Sequence, residues 1–138
     1  MRRDVILRVA AKLLGPPILL FALYVQAHGE FGPGGGFQAG VIFAAAFILY
    51  GLIEGVDAAR RIVPPALVRA AMALGILIYA GTGALGLALG GNYLDYGVLA
   101  REPAHGQHLG ITLVELGVGI TVASVMIAIF FAFAGRGR

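Results

Sequence analysis

The chain contains four apolar runs, each about as long as a membrane is thick. They extend roughly from Val5 to Gln26, Gly35 to Gly55, Ala66 to Leu89 and Leu109 to Ala134. A helix needs about 20 residues to cross about 30 Å of hydrocarbon. Each run therefore reads as a spanning helix, and the chain as an all-α integral membrane protein with a single four-helix domain over residues 1–138. A soluble four-helix bundle would need a polar stripe on every helix, and the second to fourth runs show none. The first run is too long for a signal-peptide core and no small-residue cleavage site follows it, so it reads as a retained helix. Composition agrees: 59% of residues are hydrophobic and 12% charged, against about 25% charged in a soluble domain. Cysteine is absent, which excludes disulfides and cysteine metal sites.

Basic residues predict the orientation. Arg2, Arg3, Arg8 and Lys12 stand at the N-terminal end, Arg60, Arg61 and Arg69 around the connection between the second and third runs, and Arg136 and Arg138 at the C-terminus. The opposite loops hold only Arg101. By the positive-inside rule both termini and the central connection face the cytoplasm. The net charge of +3 is then a topology signal with some attraction for anionic lipid, and it calls for no nucleic acid.

Two features complicate the helices. Gly15-Pro16-Pro17 falls inside the first run, and proline removes a backbone donor and kinks a helix. One reading is a kinked span in which Arg8 and Lys12 snorkel to the interface. The other is an interfacial amphipathic helix over Asp4–Leu14. Small residues also recur at four-residue spacing: Gly36, Gly40 and Ala44; Ala71 and Gly75; Thr82, Gly86 and Gly90; Gly117 and Thr121. Such rows let helix backbones approach closely in lipid. They are more numerous than four short helices need among themselves, so they point to packing against other membrane proteins.

Between the first two runs lies HGEFGPGGGFQAG, His28 to Gly40. No Gly-Lys-Ser or Gly-Lys-Thr follows, so it is not a P-loop, and no strand precedes it as a dinucleotide fingerprint requires. Gly34, Gly35 and Gly36 would bring backbone N–H groups to a helix N-terminus, a place that accepts an anion or a carboxylate. Glu30 is the near carboxylate for that role. The alternative is a tight turn that lets another backbone come close.

The ionisable residues inside or near the spans are few. Glu115 is expected about two turns into the last helix, where a carboxylate costs several kcal/mol unless paired, protonated or hydrated. Intramembrane acids mark ion or proton paths, although a protonated carboxyl can also simply bond a neighbouring helix. Thr112 lies one turn earlier on the same face. His105 and His108 precede it near the surface, and histidine exchanges protons near neutral pH. His28 and Glu30 lie at the other mouth of the glycine stretch. Glu54 and Asp57 fall beside Arg60 and Arg61, which predicts local ion pairs, with Glu54 deep enough to end a path. Asp95, in the loop GGNYLDYG, reads as structural, and Tyr24, Tyr50, Tyr93 and Tyr96 as interface-belt residues. No serine–histidine–acid set has an interpretable spacing, Ser124 being the only serine. His105 and His108 do not form a zinc motif. The chain therefore reads as a non-enzyme.

The segment GPGGGFQAGVIFAAAFIL, containing Pro33, Gly34, Gly35, Gly36 and Phe37, resembles the Pro-Gly-Gly-Gly-Phe segment of the MnhB/MrpB-like family. These are small subunits of Mrp-type (Mnh-type) multisubunit sodium/proton antiporters, and the family is also found in membrane-bound hydrogenases. DVILRVAAKLL near the start and LVELGVGI at Leu113 to Ile120 resemble the family's opening pattern and its acid-x-Gly-Val pattern, and the likeness extends over essentially the whole chain. Many relatives carry Gly-His-Asn before the proline; here Glu30 takes that histidine's place and His28 lies two positions further away. The resemblance implies a small subunit of a complex in a bacterial or archaeal cell membrane. It implies assembly with large antiporter subunits related to complex I and with other small subunits, exchange of Na+ for H+, and no bound cofactor. Two roles remain open: a transport subunit in which Glu115 and its neighbours line a half-path for Na+ or H+, or a purely structural scaffold, including one inside a redox-driven complex.

Overall fold

In a computed structural model, which describes residues 2–29 and 34–136, the chain is helical throughout its four apolar runs. The helices are α1 (Arg2–His28), α2 (Gly36–Glu54), a short α3 (Val56–Ile62), α4 (Pro65–Ala88) and α5 (Pro103–Ala134), with a 3-10 turn at Tyr96–Leu99. Four of them, α1, α2, α4 and α5, are long and apolar enough to cross a membrane. The starts of α4 and α5 follow from sequence. Pro65 and Pro103 occupy the first helical turn, where the N–H that proline lacks would have no helical partner in any case. The helix α1 runs unbroken through Pro16 and Pro17, so Asp4–Leu14 belongs to the span and is not a separate interfacial helix.

The spanning helices form a row rather than a closed bundle. In space the order is α1, α2, α5, α4, with α1 and α4 at opposite ends. The two inner helices each have 33% of their apolar window buried, against 11% for α1. Ile6, Leu13 and Leu20 on α1 are about two-thirds exposed. In a membrane, lipid or partner helices cover such a surface.

Small residues hold the row together. A methyl group on Gly40 would lie 2.7 Å from the Gly119 carbonyl oxygen and 2.8 Å from Val122 Cβ. One on Gly75 would lie 2.9 Å from the Gly117 oxygen and overlap Thr121 Oγ1. One on Gly86 would lie 3.1 Å from the Asn92 oxygen. Gly40, Gly75 and Gly86 are buried. This corrects the expectation that these rows face other proteins: they bring α2 and α4 against α5 and seat the 89–102 segment on α4. Tyr93 and Tyr96 likewise lay their rings where methyl groups on Gly83 and Gly110 would stand, so both have an intrachain packing role besides any place in an interface belt.

At the end of the row where α2, α3, α4 and α5 meet, Ala44, Val56, Ala59, Val68, Ile127 and Phe131 form an apolar cluster. Arg60 reaches across it. Its Nη2 donates to the Phe131 carbonyl at 3.3 Å, and its guanidinium lies 5.5 Å from the Phe131 ring centre. A cation bonding a last-turn carbonyl complements the negative end of α5.

Candidate functional site

The turn from α1 into α2 depends on glycine. Gly34 and Gly35 have φ of 136° and 153°, values that glycine takes readily and other residues avoid. Gly35 is the N-cap of α2 and, being glycine, has no side chain with which to cap that end. The first N–H groups of a helix lack helical partners and carry its positive pole.

The carboxyl group beside this end is Glu115. A methyl group on Gly29 would lie 2.9 Å from Glu115 Oε2 and 3.3 Å from Oε1, and one on Gly35 would lie 3.5 Å from Oε1. The main chain is closer still, because a methyl on Gly36 would run into the Glu115 carbonyl. Three bare α-carbons thus make room for one α5 side chain and its backbone. Gly29 and Gly34 are partly buried and Gly35 and Gly36 buried, so the site is recessed.

Helix lengths place this site relative to the hydrocarbon. The 19 residues of α2 measure about 28 Å, close to the thickness of a hydrocarbon core. Gly36 and Glu54 therefore stand near its two borders, and Glu115, level with Gly36, lies at a border instead of deep inside. The 32 residues of α5 measure about 48 Å. Because α5 begins at Pro103, Glu115 is about three turns from its start, not two, and α5 extends past the border.

On that extension His105, His108, Thr112 and Glu115 follow at spacings of three, four and three, which sets them along one helical stripe. His105 Nδ1 is 3.6 Å from Glu102 Oε2, both side chains being exposed. Thr112 Oγ1 donates to the His108 carbonyl at 2.9 Å. His28 ends α1, exposed, its ring stacked 4.3 Å from that of Tyr24. Phe37 is 61% exposed. Glu30 and Pro33 lie outside the described residues.

Glu54 is at the far end of α2, about 27 Å from Gly36 along the helix axis. It stands 3.8 Å from Arg8 Nε and 3.9 Å from Lys12 Nζ. The expectation that Glu54 pairs with Arg60 or Arg61 is therefore corrected, since its ion partners lie on α1 and Arg60 is engaged with α5. The expected snorkelling of Arg8 and Lys12 is replaced in part by this attraction. Between the two borders, Thr82, Thr121 and Ser124 donate to carbonyls four residues back in their own helices.

Residues 6–128 match the family described as a domain related to the MnhB subunit of Na+/H+ antiporters. The chain belongs to that family. It is also 35% identical over 135 residues to the candidate antiporter subunit mnhB2 of Staphylococcus aureus strain Newman, and equally to those of strains COL and USA300; the alignments cover 96% of this chain and 95% of each relative. The MnhB-family match spans both halves of the site, the glycine turn and Glu115.

Two amides also stand at the site, Gln26 outside the quoted motifs and Gln38 within the glycine segment. Gln26 of α1 is partly buried, with its Oε1 2.6 Å from where a methyl on Gly119 would stand, one turn beyond Glu115. Gln38 Oε1 lies 3.3 Å from the corresponding position on Gly35. The signal each carries is an amide inside an apolar run.

Proposed function

We propose that this chain is a small membrane subunit of a multisubunit antiporter that exchanges Na+ for H+ across a bacterial or archaeal cell membrane, and that Glu115 serves at the mouth of its ion path. The observation that carries this reading is the Glu115 carboxylate seated beside Gly29 and Gly35 at the N-terminus of α2, with its main chain against Gly36. A carboxylate held there collects cations or protons at the membrane border. The stripe His105, His108 and Thr112 leads to it from the end of α5. The hydroxyls of Thr82, Thr121 and Ser124 are donated within their own helices, which supports a reading in which larger partner subunits supply the remainder of the crossing and this chain contributes the mouth and part of the assembly. The positive-inside bias puts both termini and the Glu54 end in the cytoplasm, and the glycine turn outside.

The test is Na+/H+ exchange in everted vesicles, with subunit levels followed by blotting. Glu115→Gln keeps shape and hydrogen-bonding capacity but removes the titratable charge. Exchange is expected to fall strongly with the complex still assembled, while Glu115→Asp keeps part of it. Near-normal exchange in the glutamine variant would leave Glu115 a structural carboxyl and the chain a scaffold.

A further inference from the structure

Gln26 is an amide inside the apolar span of α1, beside the buried Ala22 and Val25. It turns towards α5. Its Oε1 lies 2.6 Å from the point where a methyl on Gly119 would stand, and the Gly36 carbonyl oxygen lies 3.3 Å from the same point. Two oxygens, one from a side chain and one from the main chain, thus border the space left by one bare α-carbon. The Gly36 carbonyl gives its helix one lone pair and keeps the second. Among the described residues the Gln26 amide makes no side-chain hydrogen bond. An unpaired amide in apolar surroundings is costly, and its oxygen is available to a ligand.

The place of this oxygen relates it to the mouth. Gly119 follows Glu115 by four residues on one face of α5, about 6 Å further from the border. Further in, the surface that Gln26 shares with Leu23, Phe43 and Ala123 has one other polar side chain among the described residues, Ser124. Its hydroxyl is donated to the Ile120 carbonyl. Gln26 therefore carries the innermost side-chain oxygen on this surface that its own helix does not use.

Charge and donor type select the ligand. Arg8, Lys12, Arg60, Arg61, Arg69 and Arg136 belong to the opposite border, and Arg101 alone of the described lysine and arginine side chains lies at this end. Local oxygens with little fixed positive charge suit a cation. An amide neither gives nor takes a proton, so it is no station for H+. Carbonyl oxygens do replace the water around a hard cation.

We propose that Gln26 is a Na+ ligand, its Oε1 and the Gly36 carbonyl taking a partly dehydrated ion one turn further in than Glu115. The assignment rests on the reading of Glu115 as the mouth and adds the residue that tells Na+ from H+. A proton at the mouth finds no acceptor at Gln26, whereas Na+ finds an oxygen to move to.

The experiment uses the assembled complex in right-side-out vesicles. Uptake of radiolabelled Na+ against an outward proton gradient is followed over a range of Na+ concentrations, with subunit levels blotted. Gln26→Met keeps the length and removes the oxygen. Its KM for Na+ is expected to rise about tenfold with kcat retained, the signature of lost binding. Gln26→Glu keeps an oxygen and removes the amide donor, and its KM should stay at or below that of wild type. Gln26→Asn draws the oxygen back by one methylene and should raise KM less than Gln26→Met. An unchanged KM in Gln26→Met overturns the assignment. So does a parallel fall of the Met and Glu variants in subunit level, which would make the amide a donor to a neighbouring helix. Glu115→Gln, measured alongside, keeps two failures apart. A strong loss there with an unchanged KM in Gln26→Met removes the Gln26 assignment alone, whereas near-normal exchange in Glu115→Gln removes the mouth and this assignment with it.

Discussion

The main chain of Glu115 lies against the α-carbon of Gly36 with no room between them for a methyl group. That contact sets the height of α5 against α2 and delivers the Glu115 side chain to the glycine turn. Gly36→Ala has to separate the two helices. The obstacle is backbone, which cannot swing aside, so the cost is expected at about 1–3 kcal/mol or more, read as lower subunit levels and earlier thermal aggregation in detergent. Gly81→Ala, on α4 with open space around it, is the control. It should be neutral or stabilise by up to about 1 kcal/mol.

Gly29→Ala separates geometry from stability. Its methyl would meet Glu115 Oε2 at 2.9 Å and the Gly35 α-carbon at 3.0 Å. The carboxylate end of a flexible side chain can move, whereas the Gly35 α-carbon must give by a few tenths of an ångström, so a smaller loss of assembly than in Gly36→Ala is expected together with a displaced carboxylate. Lower exchange relative to subunit level is the expected result. Unchanged exchange would show that the carboxylate's position does not matter.

Arg60→Met removes the donor to the Phe131 carbonyl and the cation over its ring. A hydrogen bond from a charged group contributes about 1.5–3 kcal/mol, so the aggregation midpoint of the purified chain should fall by several degrees. Arg60→Lys keeps the charge without the planar fork and should lie between. Arg61→Met, at an exposed position, should stay within about 0.5 kcal/mol of wild type.

Orientation can be read directly, because the chain has no cysteine. Glu102→Cys precedes α5 and Gly137→Cys follows it, so the two should label from opposite sides. An impermeant thiol reagent on intact cells is expected to reach position 102 and not 137. The reverse pattern would invert the topology and with it the outward-facing mouth.

Much of this protein was legible in the residues themselves. Spanning is a local property, since run length and apolarity decide it without reference to the rest of the chain, and four runs predict the four long helices found. The proline starts of α4 and α5, the glycine turn and the family resemblance are local in the same sense. What the residues could not say is which distant groups meet. Glu30, the acid nearest the glycine turn in sequence, lies outside the described residues; among the described residues the acid in contact with the turn comes from α5. Glu54 was matched to the arginines that follow it; its partners came from α1. The small-residue rows identify close helix contacts without naming the helix on the other side, and the row order α1, α2, α5, α4 turned them inward. Only the tertiary structure decides such matters, because a helix presents the same pattern of faces whatever packs on it, and partner and register are set by the joint fit of backbones far apart in the chain.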